Sequence, residues 1–407
     1  MKIAIVGAGF VADYYLATMP MHPELEVVGI TDRVAERREL VGSRYGVPRF
    51  ESLEQMLAKA DFQILLNLTN PRDHYAVSAA ALAAGKHVYS EKPLAMAIDD
   101  AKRLYNQARD AGLLLIGAPC SLMGETAQTM WKALRADAIG RVRLVYAEMD
   151  DGLVHRMPYK HWLSRSGLPW PYRDEFEVGC TLEHAGYCLA WLAMWFGPAV
   201  SVTTFASTQI DDKLPPGEPP LELDSPDFSV ACVRFENGVV ARLTCSIVAP
   251  HDHALKVYGD DGILFTDEVW NNRARVKSRR FVRVRRKMLL NPLAKTHALP
   301  KPPFGKPVGH PMDFARGPAE MAAALREGRA PYVTPEFTLH VNELALAIHS
   351  ARERGAAGGA RPLRQAQDRP SEATDGPLGG QRAQRAGGSN YEMTTRFEPM
   401  QPLAWAA

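Results

Sequence analysis

The sequence predicts an α/β protein with an N-terminal doubly wound parallel sheet and a C-terminal α+β domain that has a large, mostly antiparallel sheet. In the first 118 residues, short β-branched and apolar runs alternate with helical patterns, which is typical of parallel strands joined by crossover helices. After Gly197 the apolar period becomes two, and "ENG" and "DDG" provide hairpin turns. We predict domains over 1–120 and 121–407, with a disordered insertion over 355–390, which has no aromatic residue.

Composition and charge narrow the class of protein. The chain has 407 residues, of which 46% are hydrophobic and 23% charged, and a formal net charge of +2. Such a charge gives no reason to expect a nucleic-acid partner. The longest apolar run, residues 187–195, is too short for a membrane span, and the first residues do not resemble an export signal. We therefore expect a cytoplasmic protein without a membrane partner.

The five cysteines indicate neither a disulfide framework nor a zinc site, because their number is odd and none forms a C-x-x-C pair. This usage favours a reducing compartment. We predict no metal site from the sequence.

The N-terminal segment "KIAIVGAGFVADYYLATM" reads as a strand, a glycine-rich turn and a helix. Gly7, Gly9 and Ala12 occupy the small positions of a G-x-G-x-x-A motif, which allows a tight turn and close approach of backbone amides to a pyrophosphate. A second strand, "LEVVGITD", ends at Asp32, where a carboxylate can accept both ribose hydroxyls. These features predict a dinucleotide site with the candidate residues Gly7, Ala8, Gly9, Phe10, Val11 and Asp32.

The identity of the dinucleotide depends on the residues after the second strand. Asp32 would repel a 2′-phosphate, whereas Arg33, Arg37 or Arg38 could hold one. NAD is therefore favoured, with NADP as the alternative.

Two later strand ends face the same predicted cleft. "TNPRDH" follows the third strand, and "EKP" follows the fourth. The carboxyl ends of parallel strands meet at one edge of the sheet, where ligands bind. These segments add the cofactor-binding candidates Thr69, Asn70, His74, Glu91 and Lys92, and Arg33 is a further candidate directly after Asp32.

The combination of "GAGFVA", "TNPRDH", "EKPLA" and a later glycine-to-helix segment resembles the Gfo/Idh/MocA family of NAD(P)-dependent sugar and polyol oxidoreductases. The resemblance runs from residue 1 to about residue 265 and, in outline, to the end of the chain. It implies a Rossmann domain, a small-molecule sugar or polyol substrate, and a homo-oligomer formed through the exposed face of the second-domain sheet. It also implies that Lys92 positions the substrate and orients protons.

The family's second-domain signature, G-G-x-L-x-D-x-G-x-H, is altered in "CTLEHAGY". When the helices are aligned at Gly197, the family Asp falls on Glu183 and the catalytic His falls on Tyr187, while His184 lies three positions earlier. The resemblance thus implies the catalytic candidates Lys92, Glu183, His184 and Tyr187. Either His184 or Tyr187 would exchange the substrate proton, and Lys92 would lower the pKa of a tyrosine or hold an alkoxide-like oxygen.

A structural interpretation of this helix stays open at the level of the sequence. Thr181 is a plausible N-cap, and Glu183 would then sit in the first turn, where the helix dipole stabilises a carboxylate. His184, Cys188 and Trp191 are spaced as a core stripe would be.

Two further segments carry weaker signals. Residues 154–176 form a long aromatic and cationic stretch containing Trp170, which predicts with equal weight a substrate loop or a packed connection. Residues 273–287 are strongly basic, which favours a solvated strand or an anion-binding rim over a nucleic-acid strip. Alternatives to a dehydrogenase are a glycosidase or epimerase that uses NAD transiently, and a ligand sensor that keeps the fold without turnover.

Overall fold

The structure is a computed structural model, and it describes residues 1–222, 225–301, 310–351 and 386–404. Its first sheet is parallel and has the strand order β2-β1-β3-β4-β5. The order reverses between β1 and β3, which creates a crevice at the carboxyl ends of these strands. The strands are β1 Lys2–Val6, β2 Glu26–Thr31, β3 Ile64–Asn67, β4 His87–Ser90 and β5 Leu115–Gly117.

Both faces of the parallel sheet are buried. Ile3 and Ile5 of β1 pack into one apolar cluster, whereas the alternate residues Ala4 and Val6 pack into another. Successive side chains of a strand point to opposite faces, so the predicted doubly wound sheet is confirmed. Its helices are α1 Phe10–Thr18, α2 Ala35–Tyr45, α3 Leu53–Lys59, α4 His74–Ala83 and α5 Ile98–Asp110.

The second sheet is large and mostly antiparallel, as predicted. Its main path runs β13-β12-β11-β10-β6-β9-β8-β7-β15, β14 pairs with β12, and β6 and β9 form the one parallel pair among the described strands of this sheet. The strands are β6 Val142–Asp150, β7 Ala199–Ser207, β8 Phe228–Phe235, β9 Val240–Ser246, β10 Leu255–Gly259, β11 Gly262–Thr266, β12 Val276–Val284, β13 Lys287–Leu290, β14 Lys295–His297 and β15 Ala386–Glu392.

Helices of the second part fill the space between the sheets. Every residue of α8 is buried, and α10 contacts α5 and β5 on one side and α8 and β7 on the other. The two sheets are therefore joined by a shared helical layer. The helices of this part of the chain are α6 Glu125–Arg135, α7 Tyr172–Val178, α8 Gly186–Phe196, α9 Arg316–Glu327 and α10 Pro335–His349. In the described part of the chain, no helix combines the length and apolarity that a bilayer crossing requires.

The predicted insertion needs a correction at its end. Residues 355–385 lie outside the described residues, but residues 386–390 belong to β15, which pairs antiparallel with β7. An edge strand offers unpaired backbone groups, so even a glycine-rich segment can add to it without side chains to bury. The prediction that the following tail docks is confirmed, because Met393 and Phe397 are buried. The domain limits at residue 120 stay a prediction.

The helix that carries the catalytic candidates begins differently from our expectation. A π-helical turn over Thr181–Ala185 leads directly into α8. Thr181 is not an N-cap, because the backbone is already helical at Cys180. The Thr181 hydroxyl instead lies 2.8 Å from the hydroxyl of Ser229 on β8. Single π-turns within helices are frequent at functional sites.

Candidate active site

A cavity of about 540 Å³ lies at the carboxyl ends of the parallel strands. The π-helical turn and the start of α8 form its opposite wall. All four catalytic candidates and most of the cofactor candidates line it, so the structure brings together residues that are far apart in sequence. These lining residues include Gly9, Phe10, Val11, Thr69, Asn70, His74, Glu91, Lys92, Glu183, His184 and Tyr187.

A neighbouring cavity of about 520 Å³ shares Gly9, Thr69 and Asn70 with the first. It is also lined by Gly7, Asp32 and Arg33. The two cavities form an elongated cleft across the switch point of the sheet, which is where a dinucleotide binds in this class of fold.

The glycine-rich turn fits a pyrophosphate. Gly7 has a φ of +97°, and a Cβ there would come within 2.4 Å of the Leu68 carbonyl oxygen. At Gly9, by contrast, nothing lies within 4 Å of the Cβ position, so the start of α1 stays open to a ligand. Ala8 lines neither cavity: it is buried, and its amide donates to Asp32 Oδ2 over 2.7 Å. Ala8 therefore holds the turn rather than facing the cleft.

Asp32 keeps unused hydrogen-bond acceptor capacity next to the second cavity. It is 8% exposed at the edge of the second cavity, and Oδ1 accepts a hydrogen bond from the Val34 amide over 2.8 Å. Each oxygen keeps one further lone pair for a hydroxyl. Arg33 is mostly exposed and is paired with Asp73 at 3.0 Å, whereas Arg37 lines both cavities.

His74 and Glu91 brace the strand ends. The two ring nitrogens of His74 lie 2.6 Å from the Pro93 carbonyl oxygen and 2.9 Å from the Thr69 carbonyl oxygen. Glu91 accepts hydrogen bonds from the Tyr15 hydroxyl over 2.7 Å and from the Lys92 amide over 3.0 Å. These contacts fix the "TNPRDH" and "EKP" segments relative to each other.

Lys92 and Glu183 form an ion pair across the cavity, with Nζ donating to Oε2. Their side chains are only 17% and 9% exposed. Burial lowers the pKa of Lys92, but Glu183 together with Tyr187, Glu175 and Glu91 outweighs it, so the pKa of Lys92 is raised and the ammonium stays charged. Burial raises the pKa of Glu183 against the opposing effect of Lys92.

Tyr187 stays a neutral phenol in this environment. Lys92 acts to lower its pKa, as the sequence led us to expect, but burial outweighs the ammonium and the net shift of the Tyr187 pKa is upward. The ring packs edge-on against Trp270, with centroids 5.3 Å apart. Tyr187 can therefore donate a hydrogen bond to a substrate oxygen more readily than it can take up a proton.

His184 is held by carboxylates that sequence reasoning missed. Its Nε2 lies 2.7 Å from Glu175 Oε1 and 3.8 Å from Asp151 Oδ2, whereas its Nδ1 is buried without a hydrogen-bond partner among the described residues. Burial lowers the pKa of His184, but Glu175 and Asp151 outweigh it and the net shift is upward. Glu175 lies in the aromatic segment 154–176, and the unusual composition of that segment was the feature of the sequence that could have pointed to it.

That segment contributes to the cavity through part of its length. Trp162 and Trp170 line the cavity, whereas Lys160 is paired with Glu218 outside it. Asn70 Nδ2 donates to Asp174 Oδ2 over 2.8 Å, which links a strand end of the parallel sheet to α7. The segment is therefore partly a cavity wall and partly a packed connection, and its role as a substrate loop stays a prediction.

The basic stretch 273–287 lies away from this cleft. It contains all of β12 and the turn into β13, where the side chains become exposed. Arg273, at its start, is paired with Glu125 at 2.9 Å. None of its residues lines either cavity of the cleft.

Two family models match the chain over these same parts. Residues 1–117 match the oxidoreductase family with an NAD-binding Rossmann fold, and residues 127–265 match the GFO/IDH/MocA C-terminal domain. The chain belongs to the Gfo/Idh/MocA family. It is an NAD(P)-dependent oxidoreductase with an NAD(P)-binding Rossmann fold, and the family expected from the sequence is confirmed.

Curated relatives are distant in sequence. The chain is 24% identical over 262 residues to the trans-1,2-dihydrobenzene-1,2-diol dehydrogenase of Oryctolagus cuniculus, covering 64% of this chain and 73% of the relative. It is 23% identical over 269 residues to an uncharacterized oxidoreductase of Synechocystis, covering 65% and 71%.

Solved structures share the fold over most of their length. The WlbA dehydrogenase of Bordetella pertussis, in complex with NADH and UDP-GlcNAcA, matches with a TM-score of 0.65 and 21% identity, covering 89% of this chain and 99% of that one. The 3-ketoreductase KijD10 of Actinomadura kijaniata, in complex with NADP, matches with a TM-score of 0.66 and 21% identity, covering 86% and 97%.

Proposed function

We propose that the protein transfers a hydride between a nicotinamide and a carbinol or carbonyl carbon of a sugar, polyol or related cyclic compound. The observation that carries this is the buried, charged Lys92 beside Tyr187 and His184 in a cavity that also includes the glycine-rich turn. The dinucleotide supplies the hydride acceptor or donor when it is bound.

Lys92 and Tyr187 bind the reacting oxygen. In alcohol oxidation, negative charge develops on the oxygen as its proton leaves, and a buried ammonium stabilises that charge more strongly than one in water would. The neutral Tyr187 hydroxyl donates a second hydrogen bond. Glu183 keeps Lys92 in place through the ion pair.

His184 exchanges the substrate proton. Glu175 lies 2.7 Å from Nε2 and thereby orients the ring, while Nδ1 is buried and makes no hydrogen bond within the described protein. A small movement of the ring, which lines the cavity, brings Nδ1 to a substrate hydroxyl, and a carboxylate that positions an imidazole in this way is the usual design of a general base. It favours His184 over Tyr187 for this role.

NAD is the proposed cofactor, because the Asp32 carboxylate lines the second cavity, and a carboxylate beside the adenosine ribose would repel a 2′-phosphate. A cytoplasmic location stays a prediction. A homo-oligomer through the second sheet is supported by Leu144 and Tyr146, which are exposed on the face opposite the core.

The deciding experiment is a substrate screen. Purified protein is incubated with sugars, polyols, sugar acids and cyclic diols, each with NAD and with NADP, while the absorbance of the reduced nicotinamide is followed and products are identified by mass spectrometry. Reduced cofactor formed in proportion to oxidised product supports the proposal. Product without net reduced cofactor would indicate transient oxidation by a glycosidase or epimerase. Cofactor binding without any conversion would favour a ligand sensor.

A further inference from the structure

A second cluster of side chains that could bind a metal ion lies at the wall of the cavity. It is next to His184, whose Nε2 lies 3.8 Å from Asp151 Oδ2. Asp151, His251 and His253 each offer one ligand atom, and these atoms all lie within 4.8 Å of one another. Asp151 also lines the cavity. We propose that these three side chains bind a divalent transition-metal ion, for which Zn²⁺ is the best match.

The backbone preorganises this cluster. Asp150 and Asp252 exchange two hydrogen bonds, with N–O distances of 3.0 Å and 2.9 Å. The end of β6 is thereby fixed against the loop between β9 and β10. His251 and His253 flank Asp252, and residues two apart on an extended chain point to the same side. Two histidines from one segment thus meet a carboxylate from another.

His253 is prepared to ligate through one nitrogen. Its side chain is fully buried, and Nδ1 lies 3.1 Å from Glu268 Oε1. Glu268 is itself oriented by the Trp270 amide, which donates to Oε1 over 2.8 Å. Nε2 makes no hydrogen bond and lies 3.5 Å from Asp151 Oδ1. In many metal sites a carboxylate fixes one ring nitrogen of a histidine, and the other ring nitrogen binds the ion. Glu268 holds Nδ1 of His253 in this way, while Nε2 faces Asp151.

The distances suit a small tetrahedral ion. Ligand atoms about 2.0–2.1 Å from Zn²⁺ lie roughly 3.3 Å from each other, close to the 3.5 Å between Asp151 and His253. His251 must approach somewhat further: its side chain is 55% exposed, and its Nε2 lies 3.4 Å from Glu268 Oε2, a long contact that the ring gives up when that nitrogen binds the ion. Two imidazoles and one carboxylate are ligands that Zn²⁺ accepts, with a fourth position left for water.

The test is metal uptake by the full chain. Protein stripped with a chelator is titrated calorimetrically with ZnCl₂, and Co²⁺ is added separately to read coordination from its visible absorption. We expect one Zn²⁺ per chain, a tetrahedral Co²⁺ spectrum and a melting temperature raised by a few degrees, since a ligand of the native state stabilises it. No substrate or cofactor is needed, so the result is independent of the proposed reaction.

Variants distinguish this site from adventitious binding. His251→Ala removes an exposed ligand with little risk to folding, and Asp151→Asn removes the charge while keeping the shape; each should weaken Zn²⁺ binding at least about tenfold. His161→Ala removes an exposed histidine outside the cluster and should bind as the unaltered protein does. Absence of stoichiometric uptake, or equal affinity in all four proteins, would mean that Asp151 and His253 form only an ion pair.

Discussion

His184 Nε2 lies 2.7 Å from Glu175 Oε1, and this contact joins the π-helical turn to α7 across the floor of the cavity. If the pair orients a general base, His184→Ala should lower kcat and kcat/KM together by about a hundredfold or more. Added imidazole should restore part of the rate. A residue that only supports packing would not respond to imidazole, so rescue is the informative measurement.

Glu175→Gln tests the positioning partner separately. Gln keeps the size of the side chain and one acceptor but removes the charge, so we expect kcat to fall by about tenfold while KM changes little. Glu218→Gln, which removes a carboxylate paired with Lys160 outside the cavity, serves as the matched control. Equal effects of the two substitutions would contradict a specific role for Glu175.

Tyr187→Phe separates the two proton-transfer candidates. Because burial raises the pKa of Tyr187, the phenol should contribute a hydrogen bond rather than a proton acceptor, and its loss should cost about tenfold in kcat/KM. The variant should show no imidazole rescue. A loss as large as that of His184→Ala would reverse our assignment of the two residues.

Substitutions in the Lys92–Glu183 ion pair should affect stability and catalysis differently. Lys92→Met leaves a buried carboxylate without its partner, which should lower the free energy of unfolding by about 3 kcal/mol and abolish most turnover. Lys92→Met/Glu183→Gln should regain most of that stability, because the isolated charge is gone, but none of the activity. Chemical denaturation and steady-state rates measure the two effects. Recovery of activity in the double variant would show that Lys92 acts only through structure.

Asp32→Asn tests cofactor selection. The amide keeps an acceptor for the backbone but removes the negative charge, so the NAD affinity should fall by about 1.5 to 3 kcal/mol, while the NADP affinity should change less or improve. Calorimetric titration with both nucleotides measures this. Asp61→Asn, at an exposed carboxylate paired with Lys2, is the control. Equal losses for both nucleotides would mean that Asp32 does not face the ribose.

Glu343 should make the free energy of unfolding decrease at acid pH. It accepts hydrogen bonds from the amides of Thr394 and Thr395, each over 2.9 Å, and from the Tyr391 hydroxyl over 2.9 Å. Burial raises the pKa of Glu343, but the hydrogen bonds from Thr394 and Thr395 outweigh it and the net shift is downward. The folded pKa is thus below the unfolded one.

The resulting stabilisation is therefore present above the unfolded pKa of about 4.3 and is lost as pH falls through the folded pKa. Glu343→Gln should be less stable than the unaltered protein at pH 7, and the difference should shrink below about pH 4. Urea denaturation across this range measures it. Glu336→Gln, which affects one hydrogen bond on the same helix, should show no comparable pH dependence. A constant difference at all pH values would argue against this coupling.

The sequence predicted the parts of the site that are encoded locally. Gly9 and Asp32 are recognisable because each follows a strand directly, and strand ends of a parallel sheet converge. Asp151 and Glu175 could not be predicted in the same way, because β6 and α7 bring them to the cavity through long-range pairing that spacing does not reveal. His253 depends in addition on the register between the end of β6 and a distant loop.

Other differences have local physical causes. The edge of β7 recruits residues 386–390 through backbone hydrogen bonds, which composition alone does not indicate. The expectation for Thr181 assumed a regular period of 3.6 residues. In the structure Thr181 is buried with its hydroxyl against Ser229, and the segment before α8 is a wider π-helical turn.

The π-helical turn affects how positions along this helix correspond to those of a regular helix. A π-turn is equivalent to one residue inserted into an α-helix, and one residue corresponds to about 100° of rotation. Positions before and after Thr181–Ala185 therefore belong to two different registers. A count back from Gly197 follows a regular helix as far as Tyr187, whereas Glu183 and His184 both lie inside the wider turn. The gain or loss of one residue in this turn would change which of these side chains faces the cavity.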